Sequence, residues 1–244
     1  FLQILVPYHL GSEVFNKLNF DINKFKKYEK KIRYIVVKDL PKVVKNFKKN
    51  WHPAHARDQF QRNALARGLS DCDADDIVMI SDLDEIPNPE KISDFKKEDK
   101  YACFVQGNFL FKFNLLNTSE PKWYGTRICR KKDLKSPQWL REIKAKKIPF
   151  YKFYKPRFDK FIHDGGWHFS SVKSVKGIYK KLSSYSEQQW NNKKFKDMDG
   201  IKRKIEKKLD LFDRGYDFKV LEINQKFPKY IFENKEKLKE FIYL

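Results

Sequence analysis

No stretch of this chain approaches the roughly 20 consecutive apolar residues that a membrane-crossing helix needs. Cysteine is scarce: Cys72, Cys103 and Cys129 are an odd number at wide spacings, with no metal-type pair among them. That argues against a disulfide framework and a thiolate zinc site, and it predicts reduced thiols. Acid is short relative to base, with 32 Asp and Glu against 53 Lys and Arg, for a formal charge of +21. A signal-peptide pattern is also missing from the opening residues. The chain begins without methionine in an apolar run at 2–6 that reads as a strand already under way, which predicts a fragment.

What is present is enough to build a core. Hydrophobic residues make up 41% and aromatics 16% of 244 residues, which excludes wholesale disorder and allows one substantial domain. The basic excess is partly concentrated, with twelve Lys or Arg against three Asp or Glu between Arg141 and Lys181. Such a field favours phosphorylated substrates, anionic lipid headgroups or nucleic acid. No zinc-finger, RNP-type or homeodomain pattern accompanies it, so dedicated nucleic-acid binding is not expected, and a Lys-rich solvated surface is the plainer reading.

Strand-like apolar runs fall at 2–6, 32–37, 77–81, 101–105, 109–113 and 124–129. A helix is predicted over 53–69, with Pro53 in its first turn, Ala56, Phe60 and Ala64 on one face, and Gly68 near its end. Further helices are predicted over 89–97, over 201–212 with Ile201, Ile205, Leu209 and Phe212 on one stripe, and over 234–242. Strand, helix and strand in succession is the rhythm of a parallel α/β unit. The basic, proline-punctuated segment 131–156 reads as irregular surface structure. Without repeat or linker, residues 1–244 are expected to form a single domain.

Two dense patches carry the chemistry. In the first, the run Ile77-Val78-Met79-Ile80-Ser81 ends in Asp82-Leu83-Asp84-Glu85-Ile86-Pro87. Asp82 and Asp84, two apart on an extended backbone, would leave on the same side and hold Mg²⁺ or Mn²⁺ against a phosphate-bearing substrate. A solvated acidic turn is the alternative. The second patch is His163-Asp164-Gly165-Gly166-Trp167-His168-Phe169-Ser170. Its glycines permit close backbone approach to a ligand, Trp167 offers a stacking face, and His168 is either a nitrogen ligand or a core histidine.

With both patches in view, the chain resembles glycosyltransferase family 17. The resemblance rests on Arg57-Asp58-Gln59-Phe60-Gln61-Arg62-Asn63 followed by Gly68-Leu69, on Asp82-Leu83-Asp84-Glu85-Ile86-Pro87, and on Gly166-Trp167-His168-Phe169-Ser170, all in order. It implies a GT-A fold, a Rossmann-like and mostly parallel sheet with helices on both faces, whose N-terminal strand is expected to be missing here. It also implies a UDP-sugar donor, UDP-N-acetylglucosamine, a divalent cation, a glycan acceptor and inversion at the anomeric carbon. The chain departs from the family at Val6-Pro7-Tyr8-His9, where a Glu is usual.

The resemblance also assigns roles. Asp84 and His168 would hold the cation, with Asp82 assisting through metal or ribose contacts. Of Arg57 and Arg62, five apart on the helix and not bound to share a face, one would reach donor phosphate while the other caps or pairs with Asp58, or else they form surface ion pairs. Inversion calls for a base, and Asp164 and Glu187 are the candidates, each equally readable as a turn or helix-start acid. Gly166 and Trp167 would line the donor site, and Trp123 and Tyr124 are either sugar-stacking aromatics or core. The expected location is cytoplasmic, at an anionic membrane surface, or in the Golgi lumen of a eukaryote. A basic binding module without catalysis, a metal-dependent phosphohydrolase and an inactive fragment are the competing readings.

Overall fold

The computed structural model describes residues 3–5, 21–39, 53–145, 150–152, 154–184, 194–195 and 197–243. They fall into two compact units. The first comprises Phe1–Asp76, Arg130–Glu142 and Ser184–Ser186, and the second Ile77–Cys129, Ile143–Ser183 and Glu187–Leu244.

In the first unit, β1 (Gln3–Leu5) pairs in parallel with β2 (Ile32–Tyr34), in a two-stranded sheet of their own. Arg33 on β2 grips Asp71 with two hydrogen bonds of 2.6 Å and reaches the Gly68 carbonyl at 2.7 Å. Helix α1 (Pro53–Ala64) starts on a proline, whose missing N–H would go unbonded in a first turn anyway, and continues as a 3₁₀ turn over Leu65–Leu69. The expected helix over 53–69 is therefore found, tightened in its last turn. Helix α2 (Pro137–Glu142) is tied to it where Asn63 Oδ1 accepts the Gln138 amide at 3.0 Å and Arg62 donates to Gln138 Oε1 at 2.6 Å.

The second unit is built on an eight-stranded sheet. Its strands are β3 (Ile77–Ile80), β4 (Glu85–Pro87), β5 (Tyr101–Leu110), β6 (Leu115–Asn117), β7 (Lys122–Arg130), β8 (Lys160–Ile162), β9 (Gly166–Ser170) and β10 (Phe218–Val220). Strand β5 is the spine. Along one edge it pairs antiparallel with β7 and β6, and along the other it runs parallel to β8 and β9. Strand β10 adds antiparallel to β6, and β4 antiparallel to β9.

This corrects the expectation of a mostly parallel, Rossmann-like GT-A sheet with helices on both faces. The reason lies in the connections: β5 turns back into β6 through a four-residue link at 111–114, and a second such link at 118–121 carries the chain on along the same edge of β5 into β7. Parallel neighbours need a crossover of about a dozen residues or more, so the short link after β5 allows antiparallel pairing only. The strand–helix–strand rhythm also misled, since β2 pairs with β1 in a separate sheet rather than lying beside β3. The run at 101–105 and the start of that at 109–113 prove to be one ten-residue strand, Tyr101–Leu110, because Gln106 and Asn108 are buried with hydrogen-bonded side chains rather than breaking the strand.

Helices α3 (Val175–Ser184) and α4 (Met198–Glu206) cover one end of the sheet, where Ile178 and Leu182 meet Ile201, Ile205, Leu110, Phe111 and Leu115. Asp197 caps α4 by accepting the Asp199 and Gly200 amides at 3.2 and 3.0 Å. The helix stops at Glu206, not at the expected 212, as Lys208 turns left-handed at φ 56°, and Leu209 is left half exposed. A second cluster, Phe109, Phe169, Ile223, Phe227, Ile231 and Ile242, joins β5 and β9 to the C-terminal segment with α5 (Lys229–Glu233). The helix expected over 89–97 is a 3₁₀ turn over Pro89–Asp94, and that expected over 234–242 reduces to turns ending in Lys239–Phe241. Among the described residues, no helix is long and apolar enough to cross a membrane.

Candidate active site

The acidic segment leaves β3 as a turn rather than as a continuing strand. Asp82 O accepts the Glu85 amide at 3.0 Å, and the Asp82 amide donates to Glu85 Oε2 at 3.1 Å. Leu83 is 83% exposed at the tip. The extended backbone expected to put Asp82 and Asp84 on one side is therefore absent, because Glu85 folds back over the segment and closes it. The turn is fixed to the sheet by the Phe169 amide, which donates to Asp84 O at 2.8 Å.

Register then brings the two sequence patches together. Strand β9 lies between β4 and β5, with His168 opposite Glu85 on one side and Asn108 on the other. Residues opposite one another in a sheet project from the same face, so Glu85, His168 and Asn108 form a row. Gln106 opposes Trp123 of β7 and lies two residues from Asn108, so Trp123 belongs to this face as well. Its indole stacks on the His168 ring, with centroids 4.1 Å apart and planes within 9°, and its Nε1–H donates to Glu85 Oε1 at 2.8 Å. Both oxygens of the buried Glu85 carboxylate thus accept a hydrogen bond.

His168 is held on its other edge by Asn108, with Nδ1 at 3.0 Å from Oδ1. The Asn108 amide nitrogen donates to Glu120 O at 2.9 Å, which assigns Oδ1 as the acceptor toward the ring. The network therefore places the proton on Nδ1 and leaves a lone pair on Nε2. That Nε2 stands 3.7 Å from Asp84 Oδ2. Burial lowers the His168 pKa, and Lys181 acts the same way, against the upward pull of Asp84, Glu85 and Asp82. Burial thus favours the uncharged ring, in which Asp84 faces a neutral nitrogen rather than an imidazolium.

The other predicted residues are placed differently. Trp167 and Phe169 alternate with His168 along β9, so Trp167 projects to the opposite face and packs against the Phe109–Phe169 cluster. Gly166 has φ +124°, and a Cβ there would lie 2.1 Å from Ile86 O, so the approach its size permits is that of β4. Asp164 sits in the turn before β9 at φ 50°, exposed, with its carbonyl taking the Asn88 side-chain amide at 3.3 Å. Arg62 is engaged with Gln138 in the first unit. The side chain of Arg57, and Glu187 altogether, lie outside the described residues. Among the described residues, no group of three His, Cys, Asp or Glu side chains is arranged to hold a metal.

Sequence reasoning missed Asn108 and the role of Glu85. A polar residue inside the apolar run Phe109-Leu110-Phe111 and its neighbours was the available signal for Asn108, since a buried amide must find partners. For Glu85 there was none, as its neighbours in sequence are the exposed acids of the motif.

The family profile of glycosyltransferase family 17 matches residues 12–239. Comparison with curated proteins and with solved structures returns no significant match. The match spans most of the chain and contains every element of the site just described, so the chain belongs to glycosyltransferase family 17 and is a sugar-transferring enzyme.

Proposed function

We propose that this enzyme moves N-acetylglucosamine from a UDP-sugar to a glycan acceptor, with inversion, using Mn²⁺ or Mg²⁺ at the Asp84–His168 pair. One relationship carries the reading: an unprotonated imidazole nitrogen and a carboxylate oxygen face each other at 3.7 Å. A cation between two lone-pair atoms so placed would relieve their repulsion. Bonds of about 2.0–2.2 Å to each would let a single cation serve both. Ions of this kind are commonly held by one or two carboxylates with substrate phosphates completing the shell, so two protein ligands suffice. Bound there, the cation would neutralise charge developing on the diphosphate leaving group.

The chain's own residues do the rest of the work in this reading. Glu85 holds the turn that carries Asp84, Asn108 holds His168, and Asp82, in the same turn, would assist through metal or ribose contacts. The +21 charge favours an anionic nucleotide donor, and likewise an anionic membrane surface nearby. For the base that takes the acceptor proton we favour Asp164, whose carboxylate is exposed and whose left-handed backbone is the kind of local strain found at functional sites.

Thermal unfolding with UDP-N-acetylglucosamine, with and without Mn²⁺, tests the proposal. Stabilisation of about 2.7 kcal/mol at a hundredfold excess over Kd is expected, and only with metal. The Asp82→Ala/Asp84→Ala variant should stay folded, show no such rise and transfer no sugar. Stabilisation independent of metal, or transfer retained by that variant, would remove the proposal.

A further inference from the structure

Helix α3 packs on the face of the sheet that carries His168. Asn108 and Leu110 are two apart on β5 and so project from one face, and they lie opposite His168 and Ser170 of β9. Leu110 belongs to the apolar cluster that Ile178 and Leu182 of α3 complete. Phe109 and Phe169, which alternate with these residues, pack instead with the C-terminal segment on the other face. The helix therefore covers the same side of the sheet as the row of Glu85, His168 and Asn108.

Lys181 stands on α3 three residues after Ile178 and one before Leu182, half-buried at the edge of the apolar stripe. Its Nζ donates to Ser171 Oγ at 3.0 Å. Ser171 follows the last residue of β9, three positions from His168, which is about 10 Å along a strand. Its backbone is left-handed at φ 57°, which ends the alternation of the strand. The hydroxyl thus fixes the ammonium over the His168 side of the sheet. The charge is close enough to act on the ring, whose pKa is lowered by burial first and by Lys181 as well.

Resting on the glycosyltransferase reading above, we propose that the Lys181 ammonium, held by Ser171, binds the diphosphate of the nucleotide-sugar donor beside the Asp84–His168 pair. Asp82 and Asp84 together carry as much negative charge as one divalent ion carries positive. An ion held there leaves the charge of the diphosphate to be met from a further cation. In transfer, the acceptor oxygen bonds to the anomeric carbon and its proton passes to the base. The bond from that carbon to the diphosphate oxygen breaks and leaves its electron pair on the oxygen. Lys181 gives this growing charge a charge-assisted hydrogen bond, and a lysine ammonium suits phosphate as a point charge.

Calorimetric titration of the full chain with UDP, with and without Mn²⁺ and at two salt concentrations, tests the assignment. Lys181→Met keeps the alkyl stem and removes the charge. It should weaken UDP binding about tenfold and make that binding less sensitive to salt, with the unfolding temperature of the unliganded chain unchanged. Lys181→Arg should recover part of the loss. Ser171→Gly, which suits the left-handed backbone and removes only the hydroxyl, should weaken UDP by a smaller factor. Lys176→Met, at an exposed position in the first turn of α3, should change nothing. Wild-type UDP affinity in Lys181→Met overturns the proposal, and so does a loss that leaves the salt dependence as it was. Metal-dependent UDP binding that Lys181→Met leaves intact removes the lysine and keeps the Asp84–His168 ion. UDP binding that ignores Mn²⁺ yet falls in Lys181→Met keeps the lysine and removes the ion. A wild-type chain that binds no UDP under any of these conditions removes both.

Discussion

Trp123 donates its indole N–H to Glu85 Oε1 at 2.8 Å, and this makes the third acid of the motif a structural residue. Its other oxygen is occupied by the Asp82 amide. A carboxylate with both oxygens accepting and almost no exposure is poorly placed to act as ligand or base.

Glu85→Ala should therefore cost stability as well as activity. It leaves the indole N–H and the Asp82 N–H without their partner, about 2–4 kcal/mol in total. Glu85→Gln should recover only part, since one accepting oxygen becomes an NH₂ facing a donor. Urea unfolding of the two variants measures this, and wild-type stability in Glu85→Ala would contradict the structural role.

His168 should be neutral with its proton on Nδ1. Ring ¹⁵N shifts at neutral pH report the tautomer, and Asn108→Ala should relax that preference by removing the Oδ1 acceptor. A ring protonated on Nε2 in the wild type would contradict the hydrogen-bond assignment.

Acid stability should depend in part on Asp210. Burial pushes its pKa up, but the Arg214 guanidinium and the Phe212 and Arg214 amides outweigh this and hold it below the usual range. Unfolded Asp titrates near about 3.9. As pH falls through that value toward the lower folded one, the unfolded chain takes up a proton that the folded chain does not, and stability is lost. Above this window the contribution is fully present. Asp210→Asn should flatten the fall in unfolding free energy below pH of about 4, and an unchanged slope would speak against the pairing.

Asn114 latches the C-terminal segment. Its side chain donates to Leu221 O at 3.0 Å and Tyr243 O at 2.8 Å and accepts the Tyr243 amide at 2.9 Å. Asn114→Ala should lower stability by about 2–4 kcal/mol and speed hydrogen exchange at Tyr243. Wild-type exchange there would show that apolar packing alone holds the segment.

Much of this was legible in the residues, and the failures have local causes. Pro53 and Gly68 bracketed the first helix because proline and glycine act through the backbone they occupy. The family itself could be read from short ordered motifs. Sheet direction was not legible, since it depends on which strands pair across the chain, and the runs at 101–105 and 109–113 hid a single strand that takes partners on both edges. Asp84 and His168, expected to share a cation, stand 3.7 Å apart. Trp167 was assigned to their side although it alternates with His168 on a strand and must face the other way. Asn108 and Glu85 escaped notice because their importance comes from register, which sequence spacing does not carry.

The central claim is that Asp84 and His168 share one divalent ion, and paramagnetic broadening by Mn²⁺ tests it most directly. On adding Mn²⁺ to the full chain, the ring signals of His168 should broaden first, and Asp84→Asn should abolish the effect while the ring stays stacked on Trp123. Sharp His168 signals at saturating Mn²⁺ and UDP-sugar, in a chain that still transfers sugar, would contradict it.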